Sequence, residues 1–581
     1  MGLVVHPKKQ DAERWDLSKR IIRLSRKDYF DISNACEGVA VPGSIGSGKT
    51  STTMEMWAQT YFEQGFGGLC MGPKANFAEK MFDLLSKAGA LNRAIFLREG
   101  EYGINLIGAE SEAFGSGNGL EENITDMLFS GAEVVTRNLG SAHDPFWQQS
   151  ARQMCKHLVV IDQKDQGSVD VRRLLRMVQS LPRGLEHLAE EWDKRECLAA
   201  LKRVLDKTPA GADHGVQMAA QYLLQTVPTM GEKVLGSVAI SLEVVLDAYC
   251  RETVYNAICQ DSGRWQLSDL REKGLIVVCD YPSKGGYDLT GKIIGASIKR
   301  AVQKQIEREL KNYPKTRRNE MRPVAFVLDD AGCYANSDDV DFLQTGRESR
   351  ACALWAFQSL PLMRDQFGGT DVALNKVKTL LGLFLTVVAH HNDDEETNRF
   401  YSGKRGQRLE KRVGGGTGES APVGRNQPNL NENTNYQFVP APDLPYWAYT
   451  TLKRGGEQNA GEAQAIITMP TMFKASKRRW LKVRLYQEPL FHTSPPQTYR
   501  EWRNRWLARW NHFKSKSVFI WSDVTPRVRI WNGHVPSFKV AGWMLLNRER
   551  GKKLLDRWIY FWLFEREVAI YEEANDHAFE A

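Results

Sequence analysis

The stretch VPGSIGSGKTSTT, residues 41–53, constrains this chain more than any other. Gly43 to Thr50 match G-x-x-x-x-G-K-[ST] in full. Glycines at these positions let a loop turn so that successive backbone N–H groups converge on phosphate oxygens. Lys49 is then placed to reach the β- and γ-phosphates of a nucleoside triphosphate, and the Thr50 hydroxyl to ligate magnesium. The flanks fit. EGVAV before the loop reads as a short buried strand, and TSTTMEMWAQTYFEQ after it as a helix whose N-terminus faces the phosphates. Gly43, Ser44, Gly46, Ser47, Gly48, Lys49, Thr50 and Ser51 are the candidate nucleotide-binding residues, with ATP and Mg2+ as the expected ligands.

A site of this kind needs a carboxylate strand beside the loop. RPVAFVLDDAG supplies an apolar run ending in Asp329 and Asp330, at the end of a strand where an α/β sheet places its chemistry. Asp329 is the candidate magnesium acid and Asp330 the candidate group that polarises the attacking water. The plainer alternative is a strand that ends in a turn-forming Asp pair. Further on, CALWAF reads as another strand with Gln358 at its end, placed to sense the γ-phosphate or orient water. Arg347 lies shortly before that strand, where an arginine can serve a neighbouring subunit's nucleotide. A solvated arginine beside Glu348 is the plain alternative, and Arg350 is the competing candidate.

The order of these parts resembles the TraD/TraG-like type IV coupling proteins, within the HerA/FtsK superfamily of ring-forming DNA motors. The resemblance rests on GSIGSGKTS, HDPFWQQSARQM, GRWQLSDLREKGLIVVCDYP, FVLDDAG, GRESRACALWAFQSLPLMRDQFG, DDEETNRFYSGKRG and LKRGGEQNAGEAQAII. It covers about residues 35–490. It implies an α/β fold: a RecA-like P-loop NTPase motor domain with an inserted all-α domain and a C-terminal extension. By the same resemblance Arg347 is the arginine finger, Gln358 acts in cis, and Lys49, Thr50 and Asp329 bind nucleotide and metal. Its implied partners are DNA held without regard to sequence, a relaxase or DNA-processing complex, a secretion-channel or membrane-anchor protein, and further copies in a hexamer. Two departures stand out. Asp330 occupies the place where the family usually has Glu, which implies slow or partner-dependent hydrolysis. Only a short, largely polar segment precedes the phosphate loop, so a membrane anchor is expected from another protein. A substrate receptor with little turnover, or a HerA-like motor in genome defence, are the alternative functions.

The organisation follows from composition and pattern. At 581 residues the chain is too long for one ordinary core. The motor domain is expected over 1–167 and 269–490, with a helical insertion over 168–268 and an extension over 491–581. In the insertion, Leu185, Leu188 and Trp192, then Leu198, Leu201 and Leu205, are spaced to stripe helix faces. GLIVVCDYP, VAFVLDD, CALWAF and LGLFLTVVA then read as buried strands alternating with helices, the pattern of a mostly parallel sheet covered on both faces. Residues 413–435, rich in Gly, Asn and Pro, read as a mobile loop, and the basic SGKRGQRLEKR before them as a phosphate contact or a solvated surface. In the extension, Trp502, Trp506 and Trp510 with Arg503, Arg505 and Arg509 suit one helix face that packs inward or stacks on bases or a partner. No apolar run approaches the roughly 20 residues that span a bilayer. The nine cysteines form no C-x-x-C pair, which suits buried thiols in a reducing cytoplasm, with recruitment to the inner membrane left to a partner. The net charge of +8 permits a polyanionic partner.

Overall fold

The structure is a computed structural model describing residues 14–487 apart from 115–118, 137–144, 190–191, 210, 285–287, 421–428 and 460. The tryptophan-rich extension expected over 491–581 lies outside the described residues.

Two short strands, β1 (Arg20–Arg23) and β2 (Tyr29–Asp31), pair antiparallel ahead of the phosphate-loop strand. The central sheet holds nine strands: β3 (Val39–Pro42), β4 (Gly67–Met71), β5 (Ala94–Leu97), β6 (Ile276–Cys279), β7 (Val324–Leu328), β8 (Ala351–Phe357), β9 (Thr386–His390), β12 (Glu462–Thr468) and β13 (Trp480–Tyr486). Their order is β13-β12-β9-β3-β8-β7-β4-β6-β5. The seven from β9 to β5 run parallel, and β12 and β13 close one edge antiparallel.

These strands form where the sequence carries short continuous apolar runs, because both faces of the sheet are covered. The side-chain period of two divides each run between two cores. Val324, Phe326 and Leu328 enter the core shared with the helical region, while Ala325 and Val327 enter the core beneath β1 and β2. Full burial of a large aliphatic or aromatic side chain stabilises by about 1.5–3 kcal/mol. The five residues of β7 are all buried, so this strand anchors the sheet and fixes the height at which Asp329 emerges.

Between β5 and β6 the described residues contain helices and no strand. The first is Leu106–Phe114, so helical structure begins well before residue 168, where the sequence pattern changes. The helices Val171–Gln179 and His214–Gln221 start at Asp170 and Asp213, whose carboxylates accept the N–H groups of Arg173 and Val216 at 3.0 and 3.1 Å. Such caps satisfy donors that helix geometry leaves unpaired. Leu198 and Leu201 are buried as their spacing requires, but Leu205 is exposed. Leu185, Leu188 and Trp192 do not share a helix face. They fall in two separate 3₁₀ turns, Leu185–Leu188 and Trp192–Lys194, and Leu185 is exposed. Pro182 and Gly184 stand directly before the first turn, so no helix runs in to register the stripe.

The stretch expected as an irregular loop over 413–435 also differs. Its described residues, 413–420 and 429–435, lie in a two-stranded antiparallel ribbon, β10 (Gln407–Ser420) with β11 (Asn429–Pro442). Backbone pairing from Gln407↔Pro442 to Ser420↔Asn429 holds the two strands in register without an alternating apolar pattern.

Candidate nucleotide site

The central polar groups of the candidate site emerge from the C-terminal ends of parallel strands, the end at which open α/β sheets bind ligands. The loop after β3 carries residues 43–49, Asp329 and Asp330 follow β7, Gln358 follows β8, and His390 ends β9. Since β3 lies between β8 and β9, Gln358 and His390 flank the loop. Gly46 and Gly48 have φ of +74° and +87°, a left-handed backbone that glycine adopts without steric cost. The chain then enters one π-turn, Thr50–Met54, before the helix Glu55–Glu63.

Lys49 is buried, and burial lowers its pKa; the carboxylates of Asp330 and Asp329 oppose that shift. The Thr50 hydroxyl donates to Asp329 Oδ1 at 3.0 Å. The adjacent Asp330 takes a left-handed backbone with φ +49°, and its Oδ1 accepts from Gln358 Nε2 at 3.4 Å. A non-glycine residue in this region costs of order 1–3 kcal/mol, a cost often met at functional sites. The structure therefore brings together Lys49, Thr50, Asp329, Asp330 and Gln358.

Arg347 is not part of that group. It lies near the end of helix Asp338–Ser349, before the first residue of β8, with Nη1 3.5 Å from Glu37 Oε1. The seven residues of β8 separate it from Gln358, a distance of about 20 Å at ~3.3 Å per strand residue. Arg350, the competing candidate, is buried beneath this edge and bonds the Arg318 carbonyl at 3.3 Å and Asn319 Oδ1 at 3.1 Å. It is thereby unavailable to a neighbour.

Several residues that local motifs do not mark also hold the loop. His390 is fully buried, with Nδ1 3.1 Å from the Ser47 carbonyl oxygen and Nε2 2.7 Å from Thr53 Oγ1. Burial pushes its pKa down to about 3, so the ring is neutral. Donation from Nδ1 to the carbonyl leaves Nε2 to accept from the threonine hydroxyl. Ser44 N–H donates to the His391 carbonyl at 2.9 Å, and Ser44 Oγ donates to Asn392 Oδ1 at 3.3 Å. From the other side, Gln487 Nε2 donates to Ser51 Oγ at 2.7 Å while its Oε1 accepts from Gly456 N–H at 2.7 Å. For His390, His391 and Asn392 the signal in the sequence is AHHND at the end of the strand TVVAH, and Gln487 has none.

Two features fit the loop to phosphate. Ser47 Oγ is buried without a hydrogen-bond partner among the described residues, and a Cβ on Gly43 would stand 2.6 Å from it, so the cradle has no room for a side chain there. Thr50 and Asp329 present oxygen donors in contact with each other, the set magnesium takes when substrate phosphates and water complete its shell. No cluster of three or more His, Cys, Asp or Glu among the described residues is placed to hold a metal without such help.

Sheet order, loop and paired acids together define a RecA-like P-loop NTPase fold. No family model matches this chain, and no curated relative does. Among solved structures it is similar to plasmid coupling protein TrwB in complex with ADP and Mg2+, at 16% identity and a TM-score of 0.52. That likeness covers 84% of this chain and 94% of TrwB. It is similar also to TrwB with the non-hydrolysable GTP analogue GDPNP, at 16% identity, TM-score 0.50 and the same shares of the two chains. The resemblance seen in the sequence thus extends to the fold.

Proposed function

We propose that this chain is an ATP-driven DNA translocase and substrate-recruiting coupling ATPase of a conjugative type IV secretion system. The observation that carries the ATPase reading is the contact between Thr50 and Asp329 beside the buried Lys49. The conjugative reading is supported by the likeness in fold to a plasmid coupling protein.

In this mechanism Lys49 and the loop's backbone N–H groups other than those of Gly43, Ser44 and Ser47, which already donate to carbonyls, would hold the phosphates, and Thr50 and Asp329 would hold magnesium. The ion supplies charge neutralisation at the transferring phosphoryl group. Gln358 and Asp330, already in contact, orient the attacking water, whose proton passes to Asp330 as the bond to the β–γ bridging oxygen breaks. Arg347 stabilises the developing charge in the site of an adjacent copy, most simply in a homo-hexamer around DNA. Contacts to the DNA backbone make binding independent of sequence and weaker at high salt. A relaxase or DNA-processing complex delivers the cargo, and a channel or membrane-anchor protein recruits the cytoplasmic ring to the inner membrane. No helix among the described residues is long and apolar enough to cross a membrane.

The test is ATP turnover with and without single- and double-stranded DNA, alongside the Lys49→Ala variant. DNA is expected to raise turnover and Lys49→Ala to abolish it. Identical turnover with and without DNA would reject the translocase. A second reading, an ATP-binding substrate receptor with little turnover, is favoured by Asp330, which Gln358 and Lys284 both engage. Tight ATP binding with negligible hydrolysis in the presence of DNA would select it.

A further inference from the structure

Two more lysines stand at the paired acids, and the phosphate-loop chemistry requires neither. Lys74 lies in the loop after β4, next to β7 in the sheet, and its Nζ is 3.7 Å from Asp329 Oδ2. Lys284 lies in the loop after β6, with Nζ 3.8 Å from Asp330 Oδ2. The Lys284 N–H donates to the Pro73 carbonyl at 2.9 Å, which ties the two loops together and fixes where the Lys74 backbone sits.

The two members of the Lys74–Asp329 pair differ in freedom. The Asp329 side chain is 4% exposed and is held by the Thr50 hydroxyl on one oxygen, whereas the Lys74 side chain is 49% exposed. The acid is fixed, and the ammonium, on a flexible four-carbon stem, can move. The oxygen Lys74 faces belongs to the carboxylate assigned to magnesium, so the lysine and the metal compete for one acid. Lys49, Lys74 and Lys284 face Asp329 and Asp330, leaving the site positive before nucleotide enters. A triphosphate brings roughly four negative charges and a diphosphate roughly three, the difference residing on the terminal group.

We propose that Lys74 is a terminal-phosphate sensor, which exchanges Asp329 for the last phosphate when a magnesium-bound triphosphate enters. It thereby makes the site distinguish triphosphate from diphosphate. This rests on the nucleotide reading of the site given above. The phosphate loop grips both nucleotides through shared phosphates; Lys74 gains its new partner only when the third is present.

The experiment titrates the full chain with a fluorescent non-hydrolysable ATP analogue and with fluorescent ADP, each with Mg2+, for the unaltered protein, Lys74→Gln, Lys74→Arg and Lys49→Ala. Lys74→Gln is expected to weaken the triphosphate analogue about tenfold while changing ADP affinity less than about twofold, since one charge-assisted hydrogen bond is lost. Lys74→Arg keeps the charge and should retain most of the discrimination. Lys49→Ala should weaken both ligands. If Lys74→Gln leaves the ratio of the two affinities unchanged, whether both fall together or neither does, the sensor is refuted while the nucleotide site stands. Failure of the unaltered protein to bind either nucleotide would overturn both. A thermal melt of Lys74→Gln separates misfolding from lost recognition, because partial unfolding lowers both affinities in proportion.

Discussion

The two ends of the central sheet are built on opposite terms. At the C-terminal end, Lys49, Asp329, Asp330, His390 and Asn392 are buried, and their hydrogen bonds and ion pairs cross-link β3, β7, β8 and β9. At the N-terminal end, Arg347 is 59% exposed with a long ion pair to Glu37. An exposed pair of this kind contributes about 0–1 kcal/mol, so little holds the guanidinium in its own chain. The ribbon β10–β11 likewise carries Leu409, Val413, Tyr436 and Phe438 exposed on one face. One end gathers the candidate nucleotide-binding groups within the chain. The other offers exposed groups whose contacts among the described residues are weak.

The ends are joined by a short stretch of polypeptide. From Asp330 the chain makes a 3₁₀ turn, Ala331–Cys333, and enters the helix Asp338–Ser349 that carries Arg347. Asp339 at the start of that helix is fully buried and ion-paired with the equally buried Lys299. It also accepts from Gln303 Nε2 at 2.7 Å and from the Asn336 N–H at 2.8 Å. These buried contacts anchor the start of the helix that carries Arg347, a short stretch of chain after the paired acids.

The largest effect is expected at Arg347→Ala. Turnover of the assembled protein should fall by about 10³-fold or more, as loss of an arginine finger does, while nucleotide affinity of the isolated chain stays within about twofold. Equal losses in both would place Arg347 at its own site after all. The joint between the ends is tested by Lys299→Met, which leaves Asp339 buried without its cation. Chemical denaturation should show a loss of about 3–5 kcal/mol. A change below about 1 kcal/mol would mean that the pair does not secure the helix. The smallest effect is expected at His390→Gln, where one buried hydrogen bond is lost at about 1–2 kcal/mol. His390 also has a pH signature. Its folded pKa of about 3 lies below its ordinary value of 6.5, so between these the unfolded chain binds a proton that the folded chain refuses. Stability from this group is present above pH 6.5 and is lost as pH falls toward 3, by up to ~1.4 kcal/mol per pH unit. Denaturation midpoints of the variant should fall less steeply over that window than those of the parent.

What could be read in the sequence was what neighbouring residues encode together. The phosphate loop is contiguous, and VAFVL, CALWAF and IVVC announce themselves because a strand covered on both faces is apolar throughout. What could not be read depends on topology. Thr53 and His390 are 337 positions apart and meet only because β9 runs beside β3. Lys74 meets Asp329 for the same reason, through β4 and β7. The ribbon was hard to see because the Gly- and Asn-rich parts of its strands carry no apolar alternation, and the few apolar residues near its base, Leu409, Val413, Tyr436 and Phe438, are exposed. The Leu185 stripe misled in the opposite sense: the spacing was helical, but the segment is too short to make more than a turn.

A nucleotide cleft completed by a second copy is tested most directly by mixing crippled subunits. Lys49→Ala and Arg347→Ala proteins, each inactive alone, are combined at varied ratios with ATP and DNA, with co-assembly verified by mass. Recovery of ATP hydrolysis, rising toward equal proportions, is predicted, because some interfaces then join an intact phosphate loop to an intact arginine. Mixed assemblies that form and yet hydrolyse no ATP at any ratio would contradict it.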